Sequence, residues 1–175
     1  MKENQLKTKE ITTIGVGIAA MIAGGAVIYQ ISMVMPIPGF KYMIMAPYLS
    51  MIIYILLVKI GTKSALLHIG LVFGLIMIVM NVYMSLSIVL TTVLTDLSIR
   101  TTRDPQKRAV IGSALFSSYT GVVALLVSKY LIGGVFMQIS IIWILCIGIM
   151  CLALGIVGTV LARKIMVQIS MYSYR

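Results

Sequence analysis

The chain has 175 residues, 61% of them hydrophobic and only 10% charged, with a mean hydropathy of +1.11. A soluble domain this short leaves too much of its area wet to hide so much apolar surface, so the excess must face lipid. The net charge of +10 would point to nucleic acid in a soluble protein, but here the cations lie in short clusters between apolar runs and form no stripe.

The N-terminal segment Lys2–Glu10 is followed by an apolar run, Ile11–Met35, too long for a signal peptide and closed by no small-residue cleavage site. It reads as a first transmembrane helix. Further spans are expected over Tyr42–Val58, Ser64–Met80, Val82–Ile99, Ala109–Val127 and Met137–Ala162. A hydrocarbon core of ~30 Å needs about 20 residues, so spans two and three are short while one and six are long. The expected fold is therefore an all-α integral membrane protein, a single membrane domain over residues 1–175 with six transmembrane helices.

Orientation follows from the cations. With both termini cytoplasmic, Lys2, Lys7, Lys9, Lys59, Lys63, Arg100, Arg103, Lys107, Arg108, Arg163, Lys164 and Arg175 lie inside, leaving only Lys41 and Lys129 outside. Twelve of fourteen on one side fit an N-in, C-in chain in a bacterial cell membrane. A five-span reading would strand Arg100–Arg108 or Arg163–Lys164 on the wrong side.

Two connections stand out. Met35–Lys41 carries two prolines and a glycine, which stop one helix and stiffen the link to the next. Arg100–Arg108 is the most charged segment and reads first as a membrane-surface anchor, second as a dock for a cytoplasmic partner. The break at Asn81 is expected to be a hairpin between spans three and four.

Catalytic machinery is not visible. The outer half holds no pair of carboxylates, and no glycine-rich phosphate loop with a following Lys-Ser/Thr occurs. His68 has no Cys, Asp or Glu near it in sequence and reads as a packed or snorkelling residue. Cys146 and Cys151, five apart on one helix, sit roughly 8 Å or more apart, beyond disulfide reach. Asp96 approaches mid-membrane but has Arg100 four residues on, so a structural pairing is expected. No enzyme, no metal site and no cofactor is expected.

Two features point to binding. Span one carries Gly15, Ala19 and Ala23 at four-residue spacing, with Ala20 and Gly24 beside them, a stripe that lets another helix approach closely. That helix belongs either to this chain or to a partner. Span six repeats the theme at Gly148, Gly155 and Gly158. Nine of fourteen methionines fall in the outer half: Met33, Met35, Met43, Met45, Met51, Met77, Met80, Met84 and Met137. Such flexible side chains make an adaptable apolar pocket where they converge, and lipid-facing filler where they do not. Around them stand Gln30, Tyr42, Tyr48, Asn81, Tyr83 and Gln138, with Tyr29, Tyr130 and Trp143, some of them ordinary interfacial belt. Lys41 and Lys129 face no acid there, so this end favours an anionic small-molecule substrate.

The pattern resembles the substrate-binding S components of energy-coupling-factor (ECF) transporters, more narrowly the MptD-type (Trep_Strep) subfamily. The residues that carry the resemblance begin with Lys7-Thr-Lys-Glu-Ile-Thr-Thr-Ile-Gly15 and Leu57-Val-Lys-Ile-Gly61. Leu94-Thr-Asp-Leu97, Lys107-Arg-Ala-Val-Ile-Gly112 and Ala114-Leu-Phe-Ser117 follow, and Gly155-Ile-Val-Gly-Thr-Val-Leu-Ala-Arg-Lys164 closes the set. The resemblance implies a six-helix bundle that captures a vitamin-like or metal-related micronutrient near the outer surface. It also implies docking of helix one, through Ala19 and Ala23, on a transmembrane T component driven by two cytoplasmic ATPase subunits. On the same basis the Pro36–Lys41 loop is a lid, and delivery proceeds by toppling of the loaded bundle. A haem-like tetrapyrrole, with Met or Tyr as iron ligands, or a carboxylated vitamin meets the apolar and anionic requirements. The rival readings are a non-transport membrane scaffold or accessory protein and a self-contained secondary transporter. The last is disfavoured by the want of mid-membrane charges and internal repeats.

Overall fold

The computed structural model describes residues 8–32 and 37–172. Lys2, Lys7, Met33, Met35, Pro36 and Arg175 lie outside the described residues. Six α-helices follow one another: α1 (Thr8–Ser32), α2 (Phe40–Ile60), α3 (Ala65–Ile78), α4 (Val82–Ile99), α5 (Pro105–Val127) and α6 (Ile141–Tyr172). A π-turn, Ser128–Ile132, prolongs α5, and a 3-10 turn, Gly134–Gln138, leads towards α6.

The helix ends follow local chemistry. Asn81 is extended, and its side chain accepts from the backbone N–H of Tyr83 (2.9 Å) and Met84 (3.3 Å), so α4 starts where expected. Asp104 caps α5 by accepting from Gln106 N–H at 2.9 Å, with Pro105 at the first helical position. Gly61 ends α2 in the left-handed conformation, φ +67°, and returns its N–H to Leu57 O. The expected bounds of α4 match, and α5 begins four residues before the expected Ala109 because Asp104 and Pro105 start it early.

Contacts between the helices give their directions. Gly17 meets Leu56 and Gly24 meets Tyr48, so α1 and α2 run antiparallel. Gly70 meets Thr92 and Gly74 meets Val89, which closes the α3–α4 hairpin. Gly112 meets Ile99, and Gly121 meets Cys151, so α5 is antiparallel to both α4 and α6. Gly39 meets Ile147 and Gly158 meets Pro47, which makes α2 and α6 parallel. Helix α2 lies at the centre, packed on α6, α5 and α1, while the α3–α4 hairpin leans chiefly on α5. Lys9, Lys59, Lys63, Arg108 and Arg163 thereby come to one end of the bundle.

In lipid, close backbone approach and hydrogen bonds to main-chain oxygens replace the hydrophobic effect between helices. The α2–α5–α6 contact shows both. A Cβ on Gly155 would collide with Ser117 Oγ, and one on Gly158 with the Pro47 carbonyl. Ser118 donates to Gly148 O at 2.9 Å, Ser117 to Cys151 O at 3.3 Å, and Ser113 and Thr159 share a bond of 2.8 Å. On the far side Ser85 donates to Gly74 O at 2.7 Å. The core between these seams is apolar: Ile53, Ile69, Leu66 and Phe116 are buried towards the cation-rich end, termed inner after the expected orientation, and Ala46, Leu125 and Ile147 towards the opposite end, termed outer.

Asp96 pairs with Arg108 at 3.6 Å, not with the expected Arg100. Arg100 is exposed one residue past α4, whereas Asp96 faces α5, whose first turn brings Arg108 to it. The Arg108 guanidinium also donates to Lys63 O, tying the α2–α3 connection to the pair.

Five of the helices are long and apolar enough to cross a membrane; α3, with 14 residues, spans only ~21 Å. The outward faces carry Val16, Leu75, Ile142 and Ile149, all exposed. This is the surface of a multi-pass helical membrane protein. Helix α6, with 32 residues, reaches ~48 Å and so exceeds a ~30 Å core.

Candidate functional site

The ten residues expected to bind substrate fall into three groups. Gln30, Lys41, Tyr42, Met45 and Tyr48 stand on the outer halves of α1 and α2; Asn81, Tyr83 and Met84 stand at the α3–α4 turn. Lys129 and Gln138 belong to the α5–α6 connection.

The first group is brought together, with much of it committed to holding α1 on α2. The Tyr48 hydroxyl donates to Ala20 O at 2.5 Å, and its ring fills the space that a side chain at Gly24 would need. The Met45 methyl occupies the corresponding notch at Gly25. Above them the Lys41 ammonium lies 5.0 Å from the Tyr42 ring centroid and 5.7 Å from that of Tyr29, within cation–π range. Tyr42 is half-buried against the outer core of Leu125 and Ile147. Gln30 is exposed.

At the α3–α4 turn Asn81 is occupied as the helix cap, and Tyr83 and Met84 are exposed beside it. At the α5–α6 connection the Lys129 ammonium donates to Ile139 O at 2.6 Å, which uses one of its three N–H bonds. Gln138 is exposed. The described acids, Glu10, Asp96 and Asp104, all sit at the opposite end of the bundle, so an anion at the outer end meets two cations and no carboxylate of the described chain.

The segment just before α2 is latched. Trp143 Nε1–H donates to Pro38 O at 2.9 Å, and Gly39, at φ +93°, packs on Ile147 and Leu125. Trp143 was expected among the residues around the methionine-rich end or in the interfacial belt; its bond to Pro38 joins residues 105 apart, and no local signal in the sequence marks it.

The small-residue stripe of α1 divides. Gly24 turns towards α2, where the Tyr48 ring meets it, and the Ala20 carbonyl accepts from the Tyr48 hydroxyl although Ala20 itself is exposed. Gly15, Ala19 and Ala23 are exposed, and a Cβ on Gly15 would meet nothing within 4 Å. The glycines of α6, by contrast, lie inside the bundle. Among the described residues no three His, Cys, Asp or Glu side chains come together to hold a metal. His68 donates from Nδ1 to Ser64 O at 2.8 Å.

A feature the residue patterns did not single out is a cleft of about 620 Å³ between the inner halves of α1 and α2. Lys9 and Lys59 stand at its inner end, and Val16, Gly17, Ile52 and Leu56 line its depth. Neither lysine was expected to line a site, because nothing in either helix alone says that the other faces it.

No family model, curated protein or solved structure matches the chain.

Proposed function

We propose that the chain is a substrate-capture subunit, of the S-component kind, of an ECF-type importer. It spans the membrane six times, α3 included, with both termini cytoplasmic, and takes an anionic micronutrient at its outer end. The observation that carries this reading is the open face of α1: Gly15, Ala19 and Ala23 are exposed and a side chain at Gly15 would meet nothing of the bundle, whereas the glycines of α6 are filled. A bare small-residue face in lipid is a seat for a helix of another chain. That helix belongs to a T component, whose two ATPase subunits supply the energy this chain has no motif to draw from.

At the outer end Lys41 and Lys129 attract the carboxylates of a haem-like tetrapyrrole or a carboxylated vitamin, and Tyr42, Tyr83 and Met84 offer apolar contact. Entry requires the Trp143–Pro38 latch to open, so residues 37–41 act as the lid.

The test is gentle purification of the tagged chain from its own host, followed by native mass spectrometry and an absorption spectrum. Two ATPase subunits and a T component should co-purify with a bound small molecule, and Ala19→Leu with Ala23→Leu should release the partners while leaving the fold intact. Recovery of neither motor nor ligand would favour a membrane scaffold, for which the same open α1 face would serve a different complex. Lys41→Ala with Lys129→Ala should weaken ligand binding and its salt dependence; unchanged affinity would refute an anionic substrate.

A further inference from the structure

The cleft between α1 and α2 lies at the inner end, away from the outer residues given to substrate. Its lining runs from Thr8 to Ala20 along α1 and from Lys59 back to Ile52 along α2. The thirteen residues of α1 from Thr8 to Ala20 rise ~18 Å, somewhat more than half of a ~30 Å hydrocarbon core, so the cleft is about one leaflet deep. Its volume of about 620 Å³ is within the ~300–1,000 Å³ of small-ligand sites.

The chemistry of the two ends differs. At the membrane surface Lys9 and Lys59 project from facing helices, and neither has an ion pair among the described residues. Glu10, the acid next to Lys9, is not part of the lining. Thr12 and Thr13 donate their hydroxyls back to Thr8 O and Lys9 O, which orients their remaining lone pairs but leaves the lysines as the donors at this rim. Deeper in, the walls are Val16, Ile52, Ile55 and Leu56. At the floor Gly17 lets Leu56 approach, since a Cβ there would stand 2.5 Å from Leu56 Cδ2.

We infer that this cleft holds an anionic phospholipid of the inner leaflet, its phosphate between Lys9 and Lys59 and an acyl chain along the apolar walls. Basic pockets between helices at the cytoplasmic side recognise anionic headgroups, while a free phosphate would have no use for the apolar wall of Val16, Ile52, Ile55 and Leu56 beyond the lysines. The site stands beside the open face of α1 and does not depend on what that face binds.

The test uses the full chain in detergent, with phosphatidylglycerol or phosphatidylcholine of the same acyl chains added before native mass spectrometry. Phosphatidylglycerol should be retained about tenfold better than phosphatidylcholine. The charge-removing Lys9→Gln, Lys59→Gln double variant should abolish that preference, and Lys9→Arg, Lys59→Arg should keep it, showing that the fold persists. Arg103→Gln with Lys107→Gln, on the α4–α5 connection and the first turn of α5, outside the cleft, should change nothing. Val16→Trp, which fills the cleft, should weaken retention of both lipids. The inference is overturned if the preference survives the glutamine pair, or if the α4–α5 variants remove it equally. It is also overturned if inorganic phosphate displaces the lipid while Val16→Trp has no effect, which would mark a free-anion site.

Discussion

Helices α1 and α6 carry the same kind of small-residue pattern and use it in opposite ways. In α6 every member is consumed by the fold: Gly148 faces Val122, Gly155 faces Ser117, and Gly158 faces the Pro47 carbonyl. In α1 Gly17, Gly24 and Gly25 are consumed, by Leu56, Tyr48 and Met45, while Gly15, Ala19, Ala20 and Ala23 remain exposed. Small residues in a membrane helix thus report that something comes close, without saying whether it is the chain itself or a partner. What separates the two cases is the neighbour, and the neighbour is a property of the bundle.

Substitutions can break that contrast. The largest effect is expected from Gly158→Leu, because a side chain there meets main-chain atoms of Pro47 that cannot rotate away. A loss of about 3 kcal/mol or more is expected, seen as a collapse of the detergent melting temperature or of folded yield. A melting temperature within a few degrees of the parent would mean that α2 and α6 are not in this register.

Next comes the Asp96–Arg108 pair. Asp96→Asn should destabilise by about 1–3 kcal/mol, since it leaves a largely buried guanidinium with only the Lys63 carbonyl. Arg100→Gln should leave stability unchanged, and equal losses from the two variants would restore the local Asp96–Arg100 pairing.

Smaller again is Tyr48→Phe, which removes the bond to Ala20 O and keeps the ring against Gly24. About 1 kcal/mol is expected, measured by chemical or thermal denaturation in detergent. No loss at all would show that the ring alone seals the outer half of α1.

The smallest effect on the isolated chain is expected from Gly15→Leu, whose new side chain enters open space. Stability should stay within about 0.5 kcal/mol of the parent, or rise, since glycine is a poor residue inside a helix. Capture of membrane partners should nevertheless be lost. A Gly15→Leu variant that melts early would place this face inside the fold and remove the contrast with α6.

Much of the architecture was legible because it is written locally. Apolar run lengths set the helices, Asn81 set the start of α4, and the Met35–Lys41 segment marked the first reversal. The end-to-end sorting of cations needs only helix order, which is why the bundle places Lys9, Lys59, Arg108 and Arg163 together as expected. Hydropathy and capping depend on a residue and its near neighbours along the chain, so one sequence suffices to read them.

Which face of a helix meets which neighbour was decided by tertiary structure. The partner of Asp96, the occupation of Met45 and Tyr48 at the α1–α2 seam, the latch from Trp143 to Pro38 and the Lys9–Lys59 cleft all join residues distant in sequence. In a helix apolar almost all round, periodicity does not single out the packed face, because lipid and protein interior demand the same side chains. Only the packing of the bundle separates the glycines it uses from those it leaves open.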